Sequence, residues 1–131
     1  MPRITVDEAR DFFAHPSQHL LITPENLPGE GFEYWAHGPI CVVFHLAPWP
    51  GVWMAHYGAK PEGWGHLTEP ARAVLREFWG AKQPERIIGW THETNRAALA
   101  FARRIGFERD GEMHLPSGKI IMQGWRKCLV E

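Results

Sequence analysis

Three strand-like stretches follow one another in the first half of the chain, separated by turn residues. They run from Phe32 to His37, from Ile40 to Ala47 and from Val52 to Tyr57, with Gly and Pro between them. Their short connections favour antiparallel pairing. The second stretch is apolar without a break from Ile40 to Phe44, which indicates a central strand buried on both faces.

In the second half, the pattern changes to the three- and four-residue spacing of helices. The first helix is predicted by the apolar residues Leu67, Ala71, Val74, Leu75 and Phe78. Pro70 fits its first turn if Thr68 is the N-cap. A second helix is predicted from about Asn95 to Ile105, with Gly106 as its stop. Because Arg86 to Thr91 forms a strand between the two helices, we expect a crossover and a parallel strand pair.

The two ends of the chain add a helix and a hairpin. Thr5 and Glu8 have the spacing of a capping box, which predicts a helix beginning after Thr5. Leu20 to Ile22 predicts a short strand or an ordered loop, and a closing hairpin is predicted from Glu112 to Leu115 and from Lys119 to Arg126. Together the patterns predict a mixed α/β (α+β) fold, in which helices flank a mainly antiparallel sheet.

Size and charge narrow the class of protein. The 131 residues suit a single domain, residues 1–131, and the net charge of −1 argues against nucleic acid or an anionic membrane as partner. No apolar run approaches the ~20 residues that cross a bilayer, and acidic residues stand where a signal peptide would be apolar. Cys41 and Cys128 are too few for a disulfide framework. We therefore expect a cytoplasmic protein, and the spacing of its His and Cys residues matches no zinc site.

The stretch from Gly51 to Gly65 reads as a strand, a glycine-rich turn and the start of a helix. Such a turn places backbone N–H groups, free of side chains, at the positive end of a helix dipole. Phosphates are the usual ligands of that arrangement. A tight connection between strand and helix, without a ligand, is the alternative interpretation of the same pattern.

Two motifs resemble a known family. The segment KPEGWG, from Lys60 to Gly65, resembles the Arg/Gln-x-x-Gly-x-Gly/Ala signature of the GCN5-related N-acetyltransferases, with Lys60 in the basic position. The segment NRAALAFARRIGF, from Asn95 to Phe107, is similar to the Asn-x-x-Ala...Gly-Phe helix of that family. The resemblance covers Gly51 to about Arg126. It implies the acyl-CoA N-acyltransferase fold, here with a shortened N-terminal region.

The resemblance also implies a co-substrate, acetyl-CoA, and a place for each part of it. Its pyrophosphate would be held by the backbone N–H groups of Gly63, Trp64 and Gly65, with Lys60 adding a charge. Asn95 would lie near the pantetheine arm. In the family's fold two neighbouring parallel strands splay apart at one end, and the arm lies between them like an added strand. Here these are the strands that begin at Val52 and Arg86, and a backbone N–H near Met54 or Ala55 would hold the thioester oxygen.

The reaction implied is the direct attack of an amine on the thioester, which requires loss of a proton from the ammonium group. The family often carries a Tyr acid directly after the position of Phe101, where this chain has Ala102. Two residues at the end of the third strand, Tyr57 and His56, are possible replacements for that acid. Candidates for the base are His92 and Glu93, at the end of the parallel strand.

The acceptor stays open at this stage: a small-molecule amine and a peptide amine both fit. A short N-terminal region leaves an open acceptor groove or one completed by a second subunit, so a homodimer is one possibility. A different class of function is also compatible with the sequence. In that alternative, the domain binds acyl-CoA weakly or without catalysis and serves in assembly or regulation.

Overall fold

The computed structural model describes residues 3–15 and 24–125. The strands are β1 (Arg3–Ile4), β2 (Phe32–His37), β3 (Ile40–Leu46), β4 (Val52–Ala59), β5 (Arg86–His92), β6 (Phe107–Leu115) and β7 (Gly118–Trp125). The helices are α1 (Val6–Ala9), α2 (Thr68–Lys82) and α3 (Arg96–Arg104), and short 3₁₀ turns cover Arg10–Phe13, Pro24–Asn26 and Pro61–Gly63. Within these residues, no helix has the length and apolar character needed to cross a membrane.

The described strands form one sheet in the order β1-β2-β3-β4-β5-β7-β6. All neighbouring pairs are antiparallel except β4 and β5, which are parallel and are joined by the crossover helix α2. The predicted mixed fold with a mainly antiparallel sheet is therefore confirmed. The parallel pair divides the sheet into a group of four strands, β1 to β4, and a group of three, β5 to β7.

Helical segments pack on both faces of the sheet, and strand β3 contributes side chains to both contacts. Every residue from Ile40 to Phe44 is buried, as the unbroken apolar run predicts. Ile40, Val42 and Phe44 pack with α2 and α3, where the ring of Phe78 stacks on that of Phe44. Cys41 and Val43 point to the opposite face and pack with the N-terminal segment. Strand β3 thus contributes to two hydrophobic clusters, one on each face of the sheet.

The N-terminal segment is anchored by a local cap and by two rings. The Thr5 hydroxyl accepts from the Glu8 N–H, and the Glu8 carboxylate accepts from the Thr5 N–H, so the predicted capping box is present. After one α-helical turn the segment tightens into the 3₁₀ turn that carries Phe12 and Phe13. Phe13 packs so closely on β4 that a Cβ at Gly58 would lie 2.6 Å from its ring.

Most predicted elements are found, with differences at their ends. Strand β2 has the predicted bounds, whereas β6 begins at Phe107 rather than at Glu112, because its first residues already pair with β7. Leu67, and not Thr68, holds the N-cap position of α2, and Pro70 lies in the first turn as expected. The stretch from Leu20 to Ile22 lies outside the described residues.

Candidate active site

The candidate site is the gap that opens between β4 and β5. The two strands pair over only three residues, from Val52↔Arg86 to Met54↔Ile88. Beyond that point each strand stays with its other neighbour: β4 pairs with β3 as far as Ala59, and β5 pairs with β7 as far as His92. Because the β3–β4 and β5–β7 ladders continue while the β4–β5 ladder stops, the sheet splits between β4 and β5.

The gap leads into a cleft of about 1320 Å³ that passes along α3. Seven of the residues predicted from the sequence line this cleft: Met54, Ala55, His56, Tyr57, Trp64, His92 and Asn95. Four others do not line it: Lys60, Gly63, Gly65 and Glu93. The structure thus brings the strand residues together and separates them from most of the glycine turn.

Backbone groups of β4 face the gap at alternate residues. The carbonyl oxygen of Ala55 points toward β5, 3.6 Å from where a Cβ of Gly89 would lie. Because hydrogen-bonding direction alternates along a strand, Tyr57 also turns its backbone groups toward β5, whereas Met54 and His56 turn theirs toward β3. Ala55 and Tyr57 follow the last residue paired with β5, so this edge of β4 is open to an added strand.

Two backbone N–H groups of the glycine turn already donate hydrogen bonds within the turn. The N–H of Gly63 donates to the Lys60 carbonyl at 2.9 Å, and the N–H of Trp64 donates to the Pro61 carbonyl at 3.1 Å. A side chain at Gly63 would overlap the ring of Pro39, so packing alone requires glycine there. The Lys60 ammonium group lies 4.6 Å from the centre of the Phe12 ring, a cation–π contact on the wall of the N-terminal segment.

A smaller cavity of about 210 Å³ lies at the N-terminus of α2 and is lined by Gly65, Leu67, Thr68, Phe101 and Arg104. Leu67 caps the helix without a side-chain hydrogen bond, and the first helical N–H that finds a backbone acceptor is that of Ala71. In the described residues the N–H of Thr68 has no acceptor, so the helix presents a free donor.

Arg104 adds a positive charge to the same cavity. It also borders the large cleft and shares a face of α3 with Phe101, three residues earlier. Helix N-terminus and guanidinium together make an anion site. Of the residues predicted from the sequence to hold the pyrophosphate, Gly65 lines this cavity, whereas Gly63 and Lys60 do not, and Arg104 was not among the predicted site residues.

Tyr57 stands on the helix-covered face at the opening of the gap. Its ring lies 5.0 Å from that of Phe101, and burial raises the pKa of the phenol to about 12. The hydroxyl therefore keeps its proton throughout the neutral range. It can donate a hydrogen bond to a group in the cleft at any physiological pH.

His56 stands on the opposite face of β4 and pairs with a second histidine. Its Nε2 lies 3.2 Å from Nε2 of His45, and the two rings are stacked. Burial, with a smaller contribution from His45, lowers the pKa of His56 to about 4, so the ring is neutral at pH 7. His45 was not singled out from the sequence, although the β3–β4 hairpin places the two residues on one diagonal.

His92 and Glu93, the two candidate bases, are held in different ways. Nδ1 of His92 lies 2.8 Å from Oγ1 and 3.3 Å from the backbone N of Thr94, so Thr94 fixes the orientation of the ring. The Glu93 carboxylate accepts from the Lys119 N–H at 2.8 Å and thereby ties β5 to the β6–β7 turn. Its position is that of a structural clamp outside the cleft.

Asn95 begins the helix that follows. Its side chain accepts from the Ala98 N–H at 3.2 Å, which is the hydrogen bond of an N-cap. The cap and the lining of the cleft are compatible, because only one side of the amide is used by the helix. Ala102, at the position where the family often has Tyr, also lines the cleft.

Solved structures of known proteins share the fold. A GNAT-family acetyltransferase from Bacillus anthracis matches with a TM-score of 0.67 and 15% identity, over 93% of this chain and 89% of that chain. The aminoglycoside acetyltransferase AAC(6')-Ib, solved with Parmomycin and acetyl-CoA, matches with a TM-score of 0.70 and 15% identity, over 96% of this chain and 92% of that chain.

A third match is a spermidine N-acetyltransferase chimera of Vibrio cholerae SpeG and hSSAT, with a TM-score of 0.71 and 8% identity over 95% and 91% of the two chains. By sequence alone, no family model and no curated protein matches. The similarity is therefore one of fold, and it agrees with the family resemblance of the two sequence motifs that begin at Lys60 and Asn95. The chain has the acyl-CoA N-acyltransferase fold of the GCN5-related N-acetyltransferases.

Proposed function

We propose that the protein transfers an acetyl group from acetyl-CoA to a primary amine. The observation that carries the proposal is the split between β4 and β5, which opens after three residue pairs into a large cleft. A closed parallel pair would have no edge for the pantetheine arm. The solved neighbour with acetyl-CoA bound shows that this fold accommodates the co-substrate in that protein.

The two cavities hold different parts of the co-substrate, the small one the phosphates and the large one the pantetheine arm. The phosphates lie at the N-terminus of α2, where the Thr68 N–H and the Arg104 guanidinium supply donors and positive charge. The pantetheine arm then runs along the open edge of β4 and pairs with backbone groups of Tyr57 and Ala55. This route carries the thioester to the closed end of the split, beside Met54.

The chemistry follows from the groups at that end. The amine nitrogen attacks the thioester carbon, a backbone N–H of β4 holds the developing oxyanion, and the carbon–sulfur bond breaks. Tyr57, which stays protonated, donates a hydrogen bond to the departing sulfur. The imidazoles of His56 and His92 both line the cleft and are the candidates for taking the amine proton.

The alternative, a domain that binds acyl-CoA with little or no catalysis, is supported by one specific observation. Lys60 packs on Phe12, and two N–H groups of the glycine turn are already bonded within it. Fewer donors than the family motif implies are thus left for the pyrophosphate. This reduces the expected affinity for acyl-CoA, and a weak binder turns over slowly at low co-substrate concentration.

Calorimetric titration with acetyl-CoA tests binding, and release of the coenzyme A thiol in the presence of a panel of amines tests transfer. If the protein transfers the acetyl group, acetyl-CoA should bind saturably and release of the coenzyme A thiol should depend on the amine. Binding without amine-dependent release supports the alternative. Absence of binding at millimolar acetyl-CoA contradicts both.

A further inference from the structure

The lining of the cleft has an unusual charge composition. Among the described residues that line it there is no Asp and no Glu, and Arg104 is the one permanently charged side chain. Two carboxylates adjacent in sequence to lining residues are already bound: Glu93 accepts from the Lys119 N–H, and Glu112 pairs with Arg109 and His114. A polycationic ligand would therefore find no negative partner on these walls.

The walls on the face opposite α2 and α3 are instead apolar. Trp90 lies across from Met122 in the β5–β7 ladder, and Met113 lies across from Ile120 in the β6–β7 ladder. Side chains of directly paired residues share a face, and alternation places these four on the face away from the helices. Met113 and Leu115 are 46% and 40% exposed, which is high for large apolar residues bordering a cleft.

The position of the anion site indicates that the acceptor amine, and not the nucleotide, contacts these apolar walls. Arg104 and the N-terminus of α2 lie on the helix-covered side, so the nucleotide half of the co-substrate stays there. The acyl group reaches the split from that side. An amine that attacks it must approach from the opposite face, past Trp90 and His56 and over the apolar residues of β6 and β7.

We infer that the acceptor is an amine with a single charge on an apolar or aromatic body, such as an arylalkylamine or a peptide with an apolar first residue. The inference rests on the proposed function and specifies its substrate class. Trp90, Met113 and Ile120 bury the apolar body beside the imidazoles of His56 and His92, which also line the cleft. A polyamine or an aminoglycoside would leave several ammonium groups desolvated against apolar walls without a counter-charge.

Competition between matched amines tests the inference. With acetyl-CoA saturating, kcat/KM for phenethylamine is expected to exceed that for spermidine by at least about 10-fold, the discrimination that one or two buried methylene groups can give. Replacing Met113 by Glu places a carboxylate on the apolar wall and should reverse or abolish the preference. Ala81→Glu, at an exposed position of α2 that does not line the cleft, is the control and should leave the preference unchanged.

A binding readout keeps the test independent of turnover. In the protein saturated with coenzyme A, phenethylamine is expected to shift the Trp90 indole N–H resonance, while spermidine at the same concentration does not. Equal or greater kcat/KM for spermidine, or a Trp90 shift with spermidine alone or with neither amine, overturns the inference. The proposed function survives the first of these results, because transfer itself would still be observed. Loss of acetyl-CoA binding in calorimetry would instead count against the proposed function.

Discussion

The two edges of strand β4 behave in opposite ways. On one edge β4 pairs with β3 over seven consecutive residues, from Ile40↔Ala59 to Leu46↔Trp53. On the other edge it pairs with β5 over three. Strand β4 thus forms a continuous ladder on one side and, beyond Met54, an open border on the other.

The difference has a physical origin in what lies above and below each edge. The closed edge is covered on both faces, by α2 through Phe44 and by the N-terminal segment through Phe13. At the open edge the centres of the Tyr57 and Phe101 rings lie 5.0 Å apart on the helix-covered face, and beyond Met54 the pairing with β5 stops. Packing holds the first edge together, and the exposed backbone of the second is available for a ligand. The following predictions test that division.

The turn after β4 belongs to the closed edge, because Gly63 packs on Pro39 in the β2–β3 turn and the Lys60 N–H donates to the Pro39 carbonyl. Gly63→Ala forces a methyl group into a rigid ring. We expect it to lower the free energy of unfolding by about 3 kcal/mol, the upper range for overpacking.

Gly65→Ala is the matched control. Gly65 has a φ of 90° and open space around it, so only backbone strain of about 1–2 kcal/mol is expected. Urea unfolding measures both. Equal losses at the two positions would show that Gly63 is not a packing position.

Filling the open edge should abolish co-substrate binding. Ala98 lines the cleft from α3, and Ala98→Phe places a ring where the pantetheine arm would run. Affinity for coenzyme A is expected to fall at least about 100-fold, or 2.7 kcal/mol. Ala81→Phe, at an exposed position of α2, is the control. Unchanged calorimetric affinity in Ala98→Phe, with the fold intact, would place the arm elsewhere.

Acidification should weaken the closed edge through His56. The pKa of this ring is lowered to about 4 in the fold, from an ordinary value of 6.5. The folded protein therefore binds fewer protons than the unfolded chain between these values, and stability present above pH 6.5 is lost as pH falls toward 4. Between pH 7.5 and pH 5 the loss attributable to His56 is about 2 kcal/mol.

Urea unfolding of the wild type and His56→Gln at both pH values isolates this loss. The variant lacks the titrating group, so its stability should change less between the two pH values by that amount. A wild type and a variant with the same pH dependence would mean that His56 keeps its ordinary pKa.

The smallest effect is expected at the anion site. Arg104→Ala removes one charged donor from the cavity at the N-terminus of α2, and affinity for coenzyme A should fall about 10-fold. Arg103→Ala, the exposed neighbour that does not line either cavity, should change it little. Calorimetry against dephospho-coenzyme A then shows which phosphate Arg104 contacts. Equal effects of the two substitutions would indicate only a general loss of positive charge.

The pattern of the sequence predicts the framework of strands and helices but not the orientation of the side chains. The apolar run of β3, the crossover through α2 and the parallel pair were all predicted, because periodicity and connection length determine them. Lys60 occupies the motif position of a phosphate-binding residue, yet its ammonium group packs on Phe12. A motif records the order of residues, whereas the direction of a long side chain depends on what packs beside it.

The same limit applies to contacts between distant positions. His45 and His56 are 11 residues apart, and their pairing requires the register of the β3–β4 hairpin, which the sequence alone did not define. Pro39 explains Gly63 only once the two turns are in contact. Local pattern thus predicted the elements, and tertiary packing decided which candidate residues face the cleft.

The central claim is that the open edge of β4 receives the pantetheine arm. Amide resonances followed during a titration with coenzyme A test it most directly. The account predicts the largest shifts in the second half of β4, from Ala55 to Ala59, in β5 from Gly89 to His92, and at Thr68. Shifts confined to other parts of the molecule, with these amides unchanged at saturation, would contradict it.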